Sequence, residues 1–225
     1  MASDSVVCLL DFDNTLIDND RIVADLLGYL QREVGDICRR RYWEIFEELR
    51  AKFDYTDYLG ALQRFRDEHP HDPHLVSLSL FLLNYPFHKV LFPKALDVVA
   101  HVKQWSQPVM LADGDVLLQS YKLAQSGVYD VVERHVLICI HKENELDMVA
   151  ERYPADHYVM VDDKLRVLTA MKEKWGDKLT TVFPRQGHYA LDPDILGKYP
   201  AADVTIETVG EILELDFMSL TKTNE

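Results

Sequence analysis

Cysteine is scarce in this chain. Among 225 residues there are three, Cys8, Cys38 and Cys139, an odd number at wide spacings. Such a set supports neither a disulfide framework nor a zinc site, and it suits a reducing compartment. No apolar run reaches the ~18 residues of a membrane span. The opening stretch, MASDSVVCLLDFDNTL, has no basic n-region, and acids interrupt its short apolar segment. It does not read as a secretory leader, so a cytoplasmic location is expected. Basic residues are in deficit, 24 against 38 acids, for a formal net charge of −14. A field of that sign repels nucleic acid and anionic membranes, and neither is expected as a partner. A phosphorylated substrate would need a local cation, either a metal or placed basic side chains. No internal repeat or low-complexity tract is present.

What is present suits a globular protein. The chain is 48% apolar and 28% charged. Its length allows one large domain, or a domain with an inserted subdomain, as a monomer or homodimer. Short continuous apolar runs punctuate it: Val6–Leu10, Val109–Leu111, Val136–Ile140, Tyr158–Val161, Leu179–Phe183 and a weaker Val204–Ile206. Continuous rather than alternating runs indicate strands covered on both faces, as in a parallel sheet. Helical spacing separates the later runs. Residues 115–126 place Val116, Leu117, Tyr121 and Ala124 near one face; residues 164–175 do so with Leu165, Leu168, Met171 and Trp175; residues 208–215 close the chain. Alternating strand and helix predicts a doubly wound α/β fold.

Between the first two runs the rhythm breaks. From Leu16 to about Phe92 the pattern is helical: Val23, Leu27, Leu30 and Val34, stopped by Gly35; then Tyr42, Phe46 and Leu49; then Tyr58, Leu62 and Phe65; then Leu75–Leu83. A parallel crossover needs only one helix. The surplus predicts a helical cap subdomain over residues 16–90, with the α/β core formed by 1–15 and 91–225.

The chemistry-bearing sequence is Asp11-Phe12-Asp13-Asn14-Thr15, at the end of the first run. In open α/β sheets ligands bind beyond the carboxyl ends of the strands. Acids at i and i+2 in extended chain point the same way. They can hold a cation together, or divide nucleophile and acid/base roles. The bland alternative is a strand-end turn with an Asp cap, but Asp162-Asp163 repeats the placement after another apolar run.

Here the sequence resembles the haloacid dehalogenase-like hydrolases, and specifically their phosphatase-type members, whose first motif is D-x-D-x-T. The resemblance implies that Asp11 is a nucleophile forming an aspartyl-phosphate and that Asp13 is the acid/base. It implies that Thr15 lies at the phosphate, Lys142 neutralises charge, and Asp11, Asp13 (through its carbonyl), Asp162 and Asp163 hold Mg²⁺. Asp163 would be the direct ligand and Asp162 the outer one. The second motif normally ends in Ser or Thr; this chain has Ala112, followed by Asp113 and Gly114. Loss of such a donor costs on the order of 2.7–4 kcal/mol. The N–H groups of Asp113 and Gly114, at a helix entry, are expected to substitute. The implied reaction is hydrolysis of a small phosphomonoester. The rivals are a silent binding protein, which Ala112 favours, a dehalogenase, which Asp13 disfavours, and a receiver-type domain, which motif order disfavours.

Other clusters read more plainly. Arg39-Arg40-Arg41 is expected to pair with Glu44, Glu47 and Glu48 rather than grip a substrate. His69, His71 and His74 are expected in an exposed loop, and Trp43 and Phe46 in the cap's own core. Arg185, Gln186 and His188 are placed to edge the site or simply to form a loop.

Overall fold

The computed structural model describes residues 5–53, 55–216 and 221. The outermost ends of the core assignment, 1–4, 217–220 and 222–225, lie outside the described residues, as does Asp54. The first apolar run forms β1 (Val6–Leu10), buried throughout. A helical insert follows: α1 (Asn19–Tyr29), a π-helical turn at Leu30–Val34, α2 (Asp36–Phe53), α3 (Tyr58–Glu68) and α4 (Leu75–Leu83). Gly35, at φ +91°, ends the first helical run, as its sequence position predicts. The chain then alternates through α5 (Ala95–Val102), β2 (Gln107–Asp113), α6 (Val116–Ser126), α7 (Val128–Val131), β3 (Val136–Cys139), α8 (Leu146–Arg152), β4 (His157–Val161) and α9 (Leu165–Trp175). It finishes with β5 (Leu179–Pro184), α10 (Gly187–Leu191), α11 (Pro193–Leu196), β6 (Val204–Ile206) and a 3₁₀ turn at Val209–Glu214.

The six strands form one parallel sheet in the order β3-β2-β1-β4-β5-β6. Successive residues of β1 feed opposite faces. Cys8 and Leu10 join one apolar cluster, Val7 and Leu9 the other. This two-sided burial explains why the run shows no alternation. The first cluster continues into the insert through Leu26, Phe46 and Leu82, so insert and sheet share one core. The insert leaves and rejoins the sheet by paired stems. Asp18 N–H donates to the Val90 carbonyl at 2.8 Å, and Phe92 N–H to the Leu16 carbonyl at 2.9 Å.

Three expectations are corrected. The buried face of α1 is Ile22, Leu26 and Leu30, one residue off the Val23–Leu27 face. In α6, Val116 and Leu117 are exposed, and the inward face is Leu118, Gln119, Lys122 and Leu123. The face chosen from hydrophobicity was wrong because two polar side chains point inward to serve another polar group. The last helical segment is 3₁₀ rather than α.

The loop after β5 packs tightly on the loop after β1. Gly187 has φ +72°, and a Cβ there would lie 2.5 Å from the Cβ of Asn14. Gly187→Ala should therefore destabilise the protein by at least ~1–3 kcal/mol, read as a lower urea midpoint with unchanged m-value.

Candidate functional site

Strand order reverses at β1, which lies between β2 and β4, and this is where a doubly wound sheet opens a crevice. The register pairs Leu10 with Val161. The next residues, Asp11 and Asp162, therefore emerge side by side at the carboxyl end of the sheet. Asp163 completes the group: one oxygen each from Asp11, Asp162 and Asp163 lies within 4.8 Å of the others, and all three residues are buried.

Lys142 balances part of this charge. It follows β3, is wholly buried, pairs with Asp11 Oδ1, and lies 2.6 Å from Asp162 Oδ2. Its ammonium also donates to the Leu111 carbonyl at 3.2 Å, and its backbone N–H donates to Asp113 Oδ1 at 2.9 Å. Burial works to lower the Lys142 ammonium, but Asp11, Asp162 and Asp113 together hold it well above its ordinary value. Lys164 is raised in the same way by Asp163, Asp11 and Asp162.

The acids remain under strain. Burial pushes Asp162 up to about 6 and Asp163 well above the carboxylate range, with the neighbouring carboxylates adding to both. Asp162 has partners, since Oδ1 accepts from Lys164 N–H at 2.8 Å. Its Oδ2 is buried with only the Lys142 ammonium beside it, and both oxygens of Asp163 and Oδ2 of Asp11 are likewise buried with no hydrogen bond among the described residues. Orphaned carboxylate oxygens converging at one point fit a hard divalent cation such as Mg²⁺. Asp163 and Asp11 are the side chains free to hold it.

Asp13 is held apart from this group. Its Oδ1 pairs with Lys122, its Oδ2 accepts from Gln119 Nε2 at 2.8 Å, and both partners come from the inward face of α6. Lys122, 2% exposed, also donates to Asn19 Oδ1 at 3.1 Å. Asn14 holds the turn between the acids and the insert. It sits at φ +62°, a left-handed geometry that Asn tolerates. Its Oδ1 accepts from the N–H groups of Asn19 and Asp20, at 3.0 and 3.2 Å. The sequence reading missed Gln119, Lys122, Asn19 and Lys164. The available signal was their register: Gln119 and Lys122 fall beside Leu118 and Leu123 on α6.

Two expected phosphate-binding groups are engaged elsewhere, whereas Thr15 keeps its donor proton. Thr15 is fully buried, and its hydroxyl accepts the Asp163 N–H at 3.1 Å. The Gly114 N–H is spent on the Cys139 carbonyl at 3.0 Å. The α6 N-terminus is closed by the Asp115 side chain, which accepts from Leu117 and Leu118. Ala112 is buried and brings no polar atom. Asp113 lines the cavity, its carboxyl raised by burial.

Above these residues lies a cavity of about 750 Å³, reached by Asp11, Asp13, Asp113 and Lys164 from the sheet and by Val23, Leu27, Trp43 and Phe46 from the insert. Two contacts bridge its mouth: Arg50 of α2 to the Tyr189 hydroxyl, and His188 Nδ1 to Asp20 Oδ1 at 2.6 Å. Of Arg185, Gln186 and His188, only His188 lines the cavity. Arg185 pairs with Glu207 at 3.0 Å, and Gln186 is buried under Thr15 and Val209. Arg39 and Arg40 pair with Asp36, and Arg41 with Glu44, Glu48 and Glu68; Glu47 faces Arg50 instead. The His69–His74 loop contributes a contact between His74 Nδ1 and Asp72 Oδ1 at 2.9 Å, and no metal cluster among the described residues.

Two tests follow from this geometry. Magnesium at ~100 times its dissociation constant should raise the melting temperature by about 5–10 °C. The shift should be larger at pH 8 than at pH 5, because acids raised in the fold must lose protons to bind it, and Asp163→Asn should abolish it. Lys122→Met should cost about 3 kcal/mol in urea unfolding by leaving Asp13 unpaired, and Asp13→Asn in the same chain should recover part of that loss.

No protein-family model matches the chain, and no curated protein matches it. Solved structures do. A protein from Burkholderia xenovorans LB400, described as a haloacid dehalogenase-like hydrolase, superposes with a TM-score of 0.90 at 54% identity, covering 95% of this chain and 100% of that one. The HAD-hydrolase YfnB from Bacillus subtilis, bound to magnesium, matches at TM-score 0.61 and 15% identity over 94% of this chain and 98% of its own. The L-2-haloacid dehalogenase from Xanthobacter autotrophicus matches at 0.57 and 14%, over 92% and 96%. The last two share the fold alone. The first likeness, at that identity over nearly the whole length, places this chain among the haloacid dehalogenase-like hydrolases.

Proposed function

We propose that this hydrolase cleaves phosphomonoesters, with Asp11 as nucleophile and Asp13 as acid and base. The observation that carries the reading is the set of orphaned oxygens on Asp163 and Asp11. Three buried carboxylates there face two lysine ammonium groups, an arrangement that calls for a divalent cation and suits a dianionic phosphoryl group. Asp163, Asp11 and the Asp13 carbonyl would hold Mg²⁺, with Asp162 held behind by Lys142 and Lys164. When bound, the ion supplies neutralisation of phosphoryl charge.

The side chains divide the remaining work. Asp11 attacks phosphorus through a carboxylate oriented by Lys142, which also screens the incoming anion. Asp13, on the cavity wall, protonates the leaving oxygen and then takes a proton from the water that releases phosphate from Asp11. To do so it must exchange one of its two present partners for substrate, so Gln119 and Lys122 set its resting position. The insert acts as a cap that excludes water, opening across the Arg50–Tyr189 and His188–Asp20 contacts.

A second reading, a silent binding protein, is favoured by Ala112 and by the spent Gly114 N–H. p-Nitrophenyl phosphate separates the two. The hydrolase reading expects magnesium-dependent turnover, abolished by EDTA and by Asp11→Asn, and reduced ~10²–10⁴-fold by Asp13→Asn. Ala112→Ser should raise kcat by restoring one donor at the phosphoryl group. Turnover that survives in Asp11→Asn overturns the mechanism; silence in both wild type and Ala112→Ser favours the binding role.

A further inference from the structure

The cavity is far larger than a phosphoryl group needs, and its volume of about 750 Å³ lies in the range of sites that enclose a whole small molecule. We propose that the organic part of the substrate is a flat aromatic alcohol, seated against Trp43; this rests on the phosphomonoesterase reading above and names its substrate class.

The insert supplies the platform. Trp43 stacks on Phe46 with centroids 4.7 Å apart, and Phe46 stacks on Tyr58 at 4.7 Å. All three line the cavity. Phe46 and Tyr58 are buried and fix the stack, whereas Trp43 is only half-buried and presents its open surface to the cavity. Trp43 thus packs against the insert's core, as its helical spacing predicts, and also lines the cavity. The inner end of the stack is tied to the reacting groups. Tyr58, Asn19 and Lys122 line one small adjoining cavity, Asn19 accepts from Lys122, and Lys122 pairs with Asp13. An alcohol leaving phosphorus departs towards the acid that protonates it. The stack therefore begins where the leaving group must lie. Tyr189 and Tyr199 line the sheet side of the same cavity.

A polyol phosphate fits this wall poorly. Each sugar hydroxyl needs a donor or acceptor when buried. Four polar side chains of the lining are already engaged, Asn14 with Asp20, Asn19 with Lys122, His188 with Asp20, and Arg50 with Tyr189, which leaves a polyol chiefly Thr56, Glu47 and Lys198. An aromatic ring asks for none of these and gains by stacking.

The test compares benzyl phosphate with glycerol 1-phosphate, both esters of alkyl alcohols, so intrinsic leaving-group reactivity does not decide the result. With magnesium, kcat/KM should favour benzyl phosphate by about tenfold or more, mainly through KM, and Trp43→Ala should bring the ratio to near one while Trp43→Phe keeps most of it. A ratio near one in wild type, or one unmoved by Trp43→Ala, overturns the aromatic assignment and leaves the phosphatase reading standing. Calorimetry on the Asp11→Asn protein supplies a readout without turnover. Benzylphosphonate should bind about tenfold more tightly than methylphosphonate and lose that margin in Asp11→Asn with Trp43→Ala. Equal binding overturns the proposal. If neither ester turns over, the phosphatase reading fails, and this binding margin alone still decides whether the platform takes an aromatic ligand.

Discussion

Everything at this site depends on buried charge that the protein balances only in part. Parallel pairing of β1 with β4 forces Asp11 and Asp162 together, and Asp163 follows in the next peptide. Carboxylates so close in a dry site repel one another and lose hydration. Lys142 is held among them with no exposure to solvent, tied by its ammonium to Asp11 and Leu111 and by its backbone to Asp113. Burial opposes its charge, and the surrounding acids restore it. What remains uncompensated is concentrated on Asp163 and one oxygen of Asp11. The fold thus leaves an unmet need for a cation at the carboxyl end of the sheet, on the wall of the cavity.

The second acid is managed by a separate device. Asp13 draws a lysine and a glutamine into the interior from a helix that otherwise packs on apolar contacts. The same lysine reaches Asn19 at the root of the insert, and both line a small cavity with Tyr58 of α3. Asn14, in a left-handed turn, fixes the stem from which this network grows. The insert and the sheet are consequently joined twice: by one apolar cluster, and by the polar contacts from Asn19 through Lys122 to Asp13.

Much of this was legible from residues alone. The continuous apolar runs marked all six strands, because strands covered on both faces cannot alternate. Gly35 marked a helix end because its geometry disfavours a side chain. The acids of D-x-D-x-T and of Asp162-Asp163 stood out because each follows a buried strand, where a carboxylate has no ordinary reason to be. What failed to show was the burial of Lys122, Gln119 and Thr15. A lysine or glutamine on a helix looks the same in sequence whether it faces water or a carboxylate on another strand, and α6 was assigned the wrong face for that reason. The Thr15 hydroxyl accepts the Asp163 N–H, a tie between two strand ends that no local pattern shows.

The sequence by itself determined the strands, the length and helical nature of the insertion, and the residue types able to do chemistry, since these depend on local periodicity and on the order of a few side chains. The tertiary structure decided which polar groups were already spent and which were left over. The Gly114 N–H and the α6 N-terminus were consumed by internal hydrogen bonds, whereas the Asp163 oxygens were not. It also decided that Trp43 opens onto the cavity although Phe46, three residues on, is buried. The reason is physical: a hydrogen bond or a ring contact between residues far apart in the chain depends on where the backbone places them, and that placement follows from the packing of the whole chain.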